Sequence, residues 1–269
     1  MAALVASALA GALVAASWFG GRYALAAGVA VVQVLLVVGL ARTVEVPAGR
    51  TSAALALLAG LGSGAYVVAT AEGPFDPETM APVLVAVGAG FVGMVIVQLA
   101  RRDGRDGLTP SLTFGVTALI LTTATVGWLA LGDDSVGEAM LLVGLTGAAV
   151  GAAIMIFPGP APLWLVGGTI AAASVGLILQ TYVEPIDAAD LGPLAAALTA
   201  GLCGFASTVG VWTARLLRDE RALGRHASRA THVPLSPLIH LLTVAAMPLA
   251  LAAPAAVAAA WAFSEGLLT

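Results

Sequence analysis

The sequence predicts an all-α integral membrane protein, a polytopic helical bundle of about nine transmembrane helices with a cytoplasmic N-terminus and an extracytoplasmic C-terminus. Three observations lead there. The 269-residue chain is 60% hydrophobic and 10% charged, with a mean hydropathy of +1.02, whereas soluble domains carry about 25% charged residues. Its charges are gathered into short clusters separated by uncharged stretches. The arginines concentrate in alternate clusters, as the positive-inside rule requires of a polytopic chain.

A spanning helix needs about 20 apolar residues to cross a hydrocarbon core of roughly 30 Å. The uncharged stretches supply spans at 2–19, 23–41, 51–70, 81–100, 110–131, 139–157, 162–182, 193–213 and 237–261, all within one transmembrane domain, 1–269. The first lacks the basic start of a secretory signal and is read as a retained helix. The stretch from Ala139 to Val183 is too long for one helix. Pro158, Pro160 and Pro162 divide it, because each removes a donor and clashes with the preceding turn. Pro82, Pro110, Pro162, Pro193 and Pro237 stand at helix starts, where a missing N–H costs nothing. Segment 214–236 is a basic cytoplasmic loop containing an amphipathic helix.

This topology leaves ten arginines and five acids on the inner side, and Arg22 with ten acids on the outer side. Aromatic residues support it. Trp18, Tyr23, Tyr66, Trp128, Tyr182 and Trp261 fall toward the outer interface, and Trp164 and Trp212 toward the inner one, as two amphipathic belts. All eleven basic residues are arginine in an Ala-, Val-, Gly- and Leu-rich chain. The expected home is therefore the plasma (inner) membrane of a prokaryote with a GC-rich genome.

The composition excludes several classes of function. A net charge of −4 disfavours nucleic acid as a partner. Cys203 stands alone, so no intrachain disulfide forms. No Asp, Glu, Arg or Lys lies midway along a span, which argues against ion-coupled transport. His226, His232 and His240 lack the i, i+4 spacing of a helical metal pair. The run Gly88-Ala89-Gly90-Phe91-Val92-Gly93 spells a dinucleotide fingerprint, but it sits inside the fourth span and not at a strand-to-helix turn. No catalytic residue, cofactor or metal is expected.

What remains is polar detail. Gln33, midway along the second span, needs a partner for its amide, and His240 is the one histidine that enters the membrane. Pro248 and Pro254 should bend the last span and free the carbonyls of Val244 and Ala250. Glycines at 60, 62 and 64, at 88, 90 and 93, and at 144, 147 and 151 suit close helix contact. On the inner side, Arg215, Arg218, Arg221, Arg225 and Arg229 recur every three or four residues, a basic stripe spanning about 120° of a helix. With Arg101, Arg102 and Arg105 they are candidate contacts for anionic lipid headgroups or a partner.

The reading that best fits this pattern is a non-enzymatic membrane subunit or scaffold with a basic cytoplasmic face. It would contact the lipid bilayer together with a membrane-protein partner or further copies of itself. A permease or flippase-like carrier of a neutral or lipidic small molecule stands second, with a cavity expected at Gln33, the span-five threonines or His240. A membrane-embedded lipid-modifying enzyme is a distant third.

Overall fold

A computed structural model describes residues 2–43, 49–70, 77–100, 107–131, 135–157, 159–183, 191–224 and 237–267; at 217–224, 237–240 and 242–244 only the backbone is described. The described residues form helices and connecting turns, with no strand. In chain order these are α1 (Ala2–Thr43), α2 (Gly49–Thr70), a short 3-10 turn (Pro77–Met80), α3 (Ala81–Leu99), α4 (Leu108–Ala124) and α5 (Gly127–Ala130). They continue as α6 (Ser135–Ile154), α7 (Ala161–Tyr182), α8 (Pro193–Gly224) and α9 (Pro237–Ser264). Eight helical stretches among the described residues are long and apolar enough to cross a membrane, α4 and α5 counting as one.

The first two predicted spans share α1. Its 42 residues would reach about 63 Å if straight, twice the hydrocarbon thickness of about 30 Å. It does not run straight, because Gly21 takes φ 63° and ψ −162°, a region essentially reserved for glycine. The two halves fold back on each other there: a Cβ added to Gly28 would lie 2.6 Å from Leu13 Cδ2. Fifteen residues of continuous helix would hold these positions about 22 Å apart. Arg22, beside the break, donates from Nη2 to the Val67 carbonyl at 2.7 Å. That carbonyl belongs to the last turn of α2, which has no intrahelical donors left and attracts a cation.

Two boundaries differ from the sequence reading. The fifth span is broken at Thr125 and Val126 into α4 and α5. Helix α8 continues to Gly224 without interruption, so residues 214–224, expected in the separate basic loop or amphipathic helix, prolong the helix of the preceding span.

The centre of the bundle is built from α1, α4, α6, α8 and α9, with Leu36, Leu119, Leu145, Ala196 and Leu249 buried together. Helices α3 and α7 lie at the edge and present Leu84, Val85, Leu163, Val166 and Ile170 outward. Helix α8 makes the closest contacts. A methyl on Gly147 would overlap the backbone of Ala200, and one on Gly151 that of Gly204. From the other side, a Cβ on Gly176 would come 2.5 Å from the Ala196 carbonyl oxygen. Backbones can approach this way only where side chains are absent, and in lipid such contact replaces the hydrophobic drive that water supplies to soluble cores.

The expected consequence is a reversal of ordinary helix propensity. Alanine normally stabilises a helix over glycine by about 0.8–1.0 kcal/mol, so Gly62→Ala, where a Cβ meets nothing within 4 Å, should leave thermal unfolding in detergent unchanged or raise its midpoint. Gly151→Ala should lower the midpoint. Equal behaviour of the two variants would show that the α6–α8 contact is not limiting.

Candidate functional site

The polar groups within the spans gather around the helix breaks. In a continuous helix the Thr122 carbonyl would accept the Val126 N–H, but that N–H bonds Thr123 instead, at 3.1 Å. The freed carbonyl takes Gln33 Nε2 from α1 at 3.1 Å and Thr125 Oγ1 at 2.7 Å. Gln33 Nε2 also donates to Thr125 Oγ1 at 3.0 Å. Thr122 Oγ1 reaches the Ala56 carbonyl of α2 at 3.0 Å. Gly60 makes room for this junction, since a Cβ there would sit 3.2 Å from Gln33 Nε2 and 3.0 Å from Thr122 Cβ. Gln33 is 1% exposed. It closes a three-helix junction.

A second set of bonds surrounds the prolines of α9. Trp128 on α5 donates from Nε1 to the Leu249 carbonyl at 3.0 Å, and the Cys203 thiol lies 3.6 Å from the Ala252 carbonyl. The donors thus fall on carbonyls flanking Ala250, the one expected to be freed by Pro254. The side chain of Trp128 is 1% exposed, which corrects its assignment to the outer aromatic belt. Trp18, Tyr23, Tyr66, Tyr182 and Trp261 are exposed as that belt requires. Between α6 and α8, Ser207 donates to Ala148 at 2.7 Å and Thr208 reaches the Gly151 carbonyl at 3.1 Å. Among the described residues, Thr199 Oγ1 is the buried side-chain polar atom without a partner.

Where the α4–α5 break meets the Pro254 region of α9, the surface holds a groove of about 480 Å³. Val83, Leu84 and Val87 of α3 form one wall, Pro254, Val257 and Trp261 of α9 the other, and Ile120, Thr123 and Gly127 the floor. Gly127 permits the two discontinuities to touch: a Cβ there would lie 2.8 Å from Val257 Cγ2 and 3.2 Å from the Ala253 carbonyl oxygen. Thr123, the hydroxyl-bearing residue of the lining, donates to its own helix at Leu119, 2.7 Å away. The groove therefore presents hydrocarbon.

The basic stripe meets the structure at one residue. Arg215 Nη2 donates to the Met155 carbonyl at the end of α6, and its guanidinium lies 5.1 Å from the centroid of the Trp164 ring. Trp164 Nε1 donates to Phe157 at 2.9 Å. Arg215 thus caps α6 and clamps the turn into α7, an internal role that the sequence periodicity did not suggest. Arg218 and Arg221 continue α8 with backbone alone described, as does His240 in α9. Arg101, Arg102, Arg105, Arg225 and Arg229 lie outside the described residues.

The ends of the bundle are consistent with alternating helices. Ala3, Ala6, Met155, Val211 and Ala245 pack together, and Ser7 donates to the Ala149 carbonyl at 2.9 Å. The N-terminus thus shares an end with Arg215, while Arg22 and Val67 meet at the tip of the α1 hairpin. No protein-family model, curated protein or solved structure matches the chain.

Gln33 offers a direct check on the junction. Gln33→Leu keeps the volume but removes both donated bonds, and hydrogen bonds between membrane helices average about 0.6 kcal/mol with a maximum near 1.7. The variant should lose stability within that range in a reversible unfolding assay in micelles. A double variant with Thr125→Val should lose less than the sum of the two singles. Strict additivity would remove the coupling claimed for this pair.

Proposed function

We propose that the protein is a non-enzymatic membrane subunit or scaffold that crosses the plasma membrane of a prokaryote nine times, N-terminus inside and C-terminus outside. The observation that carries this reading is the internal use of the polar groups in the spans. Gln33, Thr122, Thr125, Trp128, Ser207 and Thr208 all bond to neighbouring helices, so these six side chains are committed to holding the bundle. Recognition then falls to the outward surfaces. These are the basic inner stretch from Arg218 through Arg229 with Arg101, Arg102 and Arg105, suited to anionic headgroups or an acidic partner, and the small-residue and apolar faces within the membrane.

The reading as nine crossings rests on the hairpin at Gly21, and the orientation on the arginine distribution. Cys203 is buried and is the only cysteine, which makes labelling simple. With Cys203 replaced by Ala, Phe19→Cys should react with a membrane-impermeant maleimide from outside intact cells, and Arg42→Cys only after permeabilisation. Reaction of both from the same side would replace the nine-span arrangement with one in which the α1 hairpin does not cross.

A second reading, a carrier of a lipidic molecule, is favoured by the groove where the interrupted α4–α5 segment meets the proline-bearing α9, since discontinuous helices build many transport sites. Gentle extraction from the native membrane followed by native mass spectrometry separates the two. A stoichiometric protein partner, weakened when Arg218, Arg221, Arg225 and Arg229 are changed to Gln, is the expected result. A lone monomer or homo-oligomer holding a specific small molecule or lipid would reverse the ranking in favour of the carrier.

A further inference from the structure

We infer that the groove between α3, the α4–α5 break and α9 is a binding site for the acyl-chain region of one membrane phospholipid. This inference does not depend on the subunit reading.

Three observations select the occupant. The first is size. A volume of about 480 Å³ is roughly that of a single α-helical turn, 5.4 Å high and 10–12 Å across, so a partner helix would gain little by entering it. The same volume takes about sixteen groups of water size, at about 30 Å³ each, and a methylene is such a group. The second is chemistry. Thr123 spends its hydroxyl on Leu119, and the remaining wall is aliphatic apart from the Trp261 ring, so a polar solute would lose hydrogen bonds on entry without recovering any. The third is position. Leu84, Ile120 and Trp261 are 70%, 52% and 48% exposed, so the groove opens sideways toward hydrocarbon. At its mouth the Trp261 indole has the apolar body and polar N–H that suit the level of lipid headgroups.

The groove is also built rather than incidental. It lies where α4 stops at Ala124 and α5 begins at Gly127, opposite Pro254 within the facing helix. Gly127 against Ala253 and Val257 fixes the two interruptions together, while the Gln33 and Trp128 bonds hold each from behind. A chain seated there covers the seam between α3 and α9, which the protein leaves open.

The test uses the full-length protein in phosphatidylglycerol vesicles containing a phosphatidylglycerol with a photoactivatable diazirine in its acyl chain. Adducts should fall on 83–87 and 257–261 several-fold more often than on Val166–Ile170, the exposed face of α7. Ala124→Phe and Ala258→Phe fill the groove and should bring its labelling down to the α7 level, while Leu163→Phe should change nothing. Even labelling of both faces in the unaltered protein would overturn the site, because lipid would then contact the groove only as bulk solvent. Photo-induced crosslinks joining two copies through α3 or α9, with little lipid adduct, would overturn it in favour of self-association. The map on the unaltered chain decides the matter even if a filled variant fails to fold.

Discussion

The rest of the structure depends on one constraint: inside hydrocarbon no water can satisfy a backbone carbonyl that its own helix has abandoned. An uninterrupted helix meets it automatically, and most of this chain complies. Where the helices are interrupted or end, side chains supply the missing donors. Gln33 and Thr125 serve Thr122, Arg22 serves Val67 and Arg215 serves Met155, while Trp128 donates to Leu249, beside the carbonyl that Pro254 leaves without its usual donor. The few large polar groups that the sequence admits to the spans are thus placed where the backbone needs them. This gives each a structural duty before any functional one.

The same constraint explains the division of labour between helices. Interhelical hydrogen bonds contribute modestly in membranes, so tight association must come from dispersion over closely approaching backbones. Helix α8 supplies that approach through Ala196, Ala200 and Gly204, against Gly147 and Gly151 on one side and Gly176 on the other. Helices α3 and α7 carry large aliphatic side chains outward, and α7 turns its small residues Gly168, Ala172 and Gly176 toward α8. A helix can therefore be read as central or peripheral by where its smallest residues face. Total hydropathy does not separate the two.

Hydropathy made the apolar, membrane-length helices legible, because the length of an apolar run is set by the thickness of the bilayer. Proline placement located most helix starts for an equally local reason. The glycine sets in spans three, four and six were visible too, although only some positions proved crowded. Gly60, Gly90 and Gly151 meet neighbours, while Gly62 and Gly88 meet nothing within 4 Å. What the sequence hid is pairwise. Nothing local to Trp128 distinguishes a buried donor to α9 from a belt residue, and nothing in the arginine spacing singles out Arg215 as the cap of α6. The break after Ala124 had a weak signal in the run Thr122-Thr123-Ala124-Thr125-Val126-Gly127, where hydroxyls that compete for backbone carbonyls precede a glycine.

Interruptions in membrane helices are usually associated with solute sites because they expose carbonyls and helix ends to a cavity. Here the carbonyl released at the α4–α5 break is consumed inward by Gln33 from α1, and Trp128 from α5 bonds α9 at Leu249, next to Ala250. The outward side keeps only the change of shape. A break whose dipoles are satisfied from behind presents to the membrane a concavity without charge, and such a surface can discriminate only by the volume and contour of hydrocarbon. On the proposed reading, the α4–α5 break thus serves recognition in the plane of the bilayer.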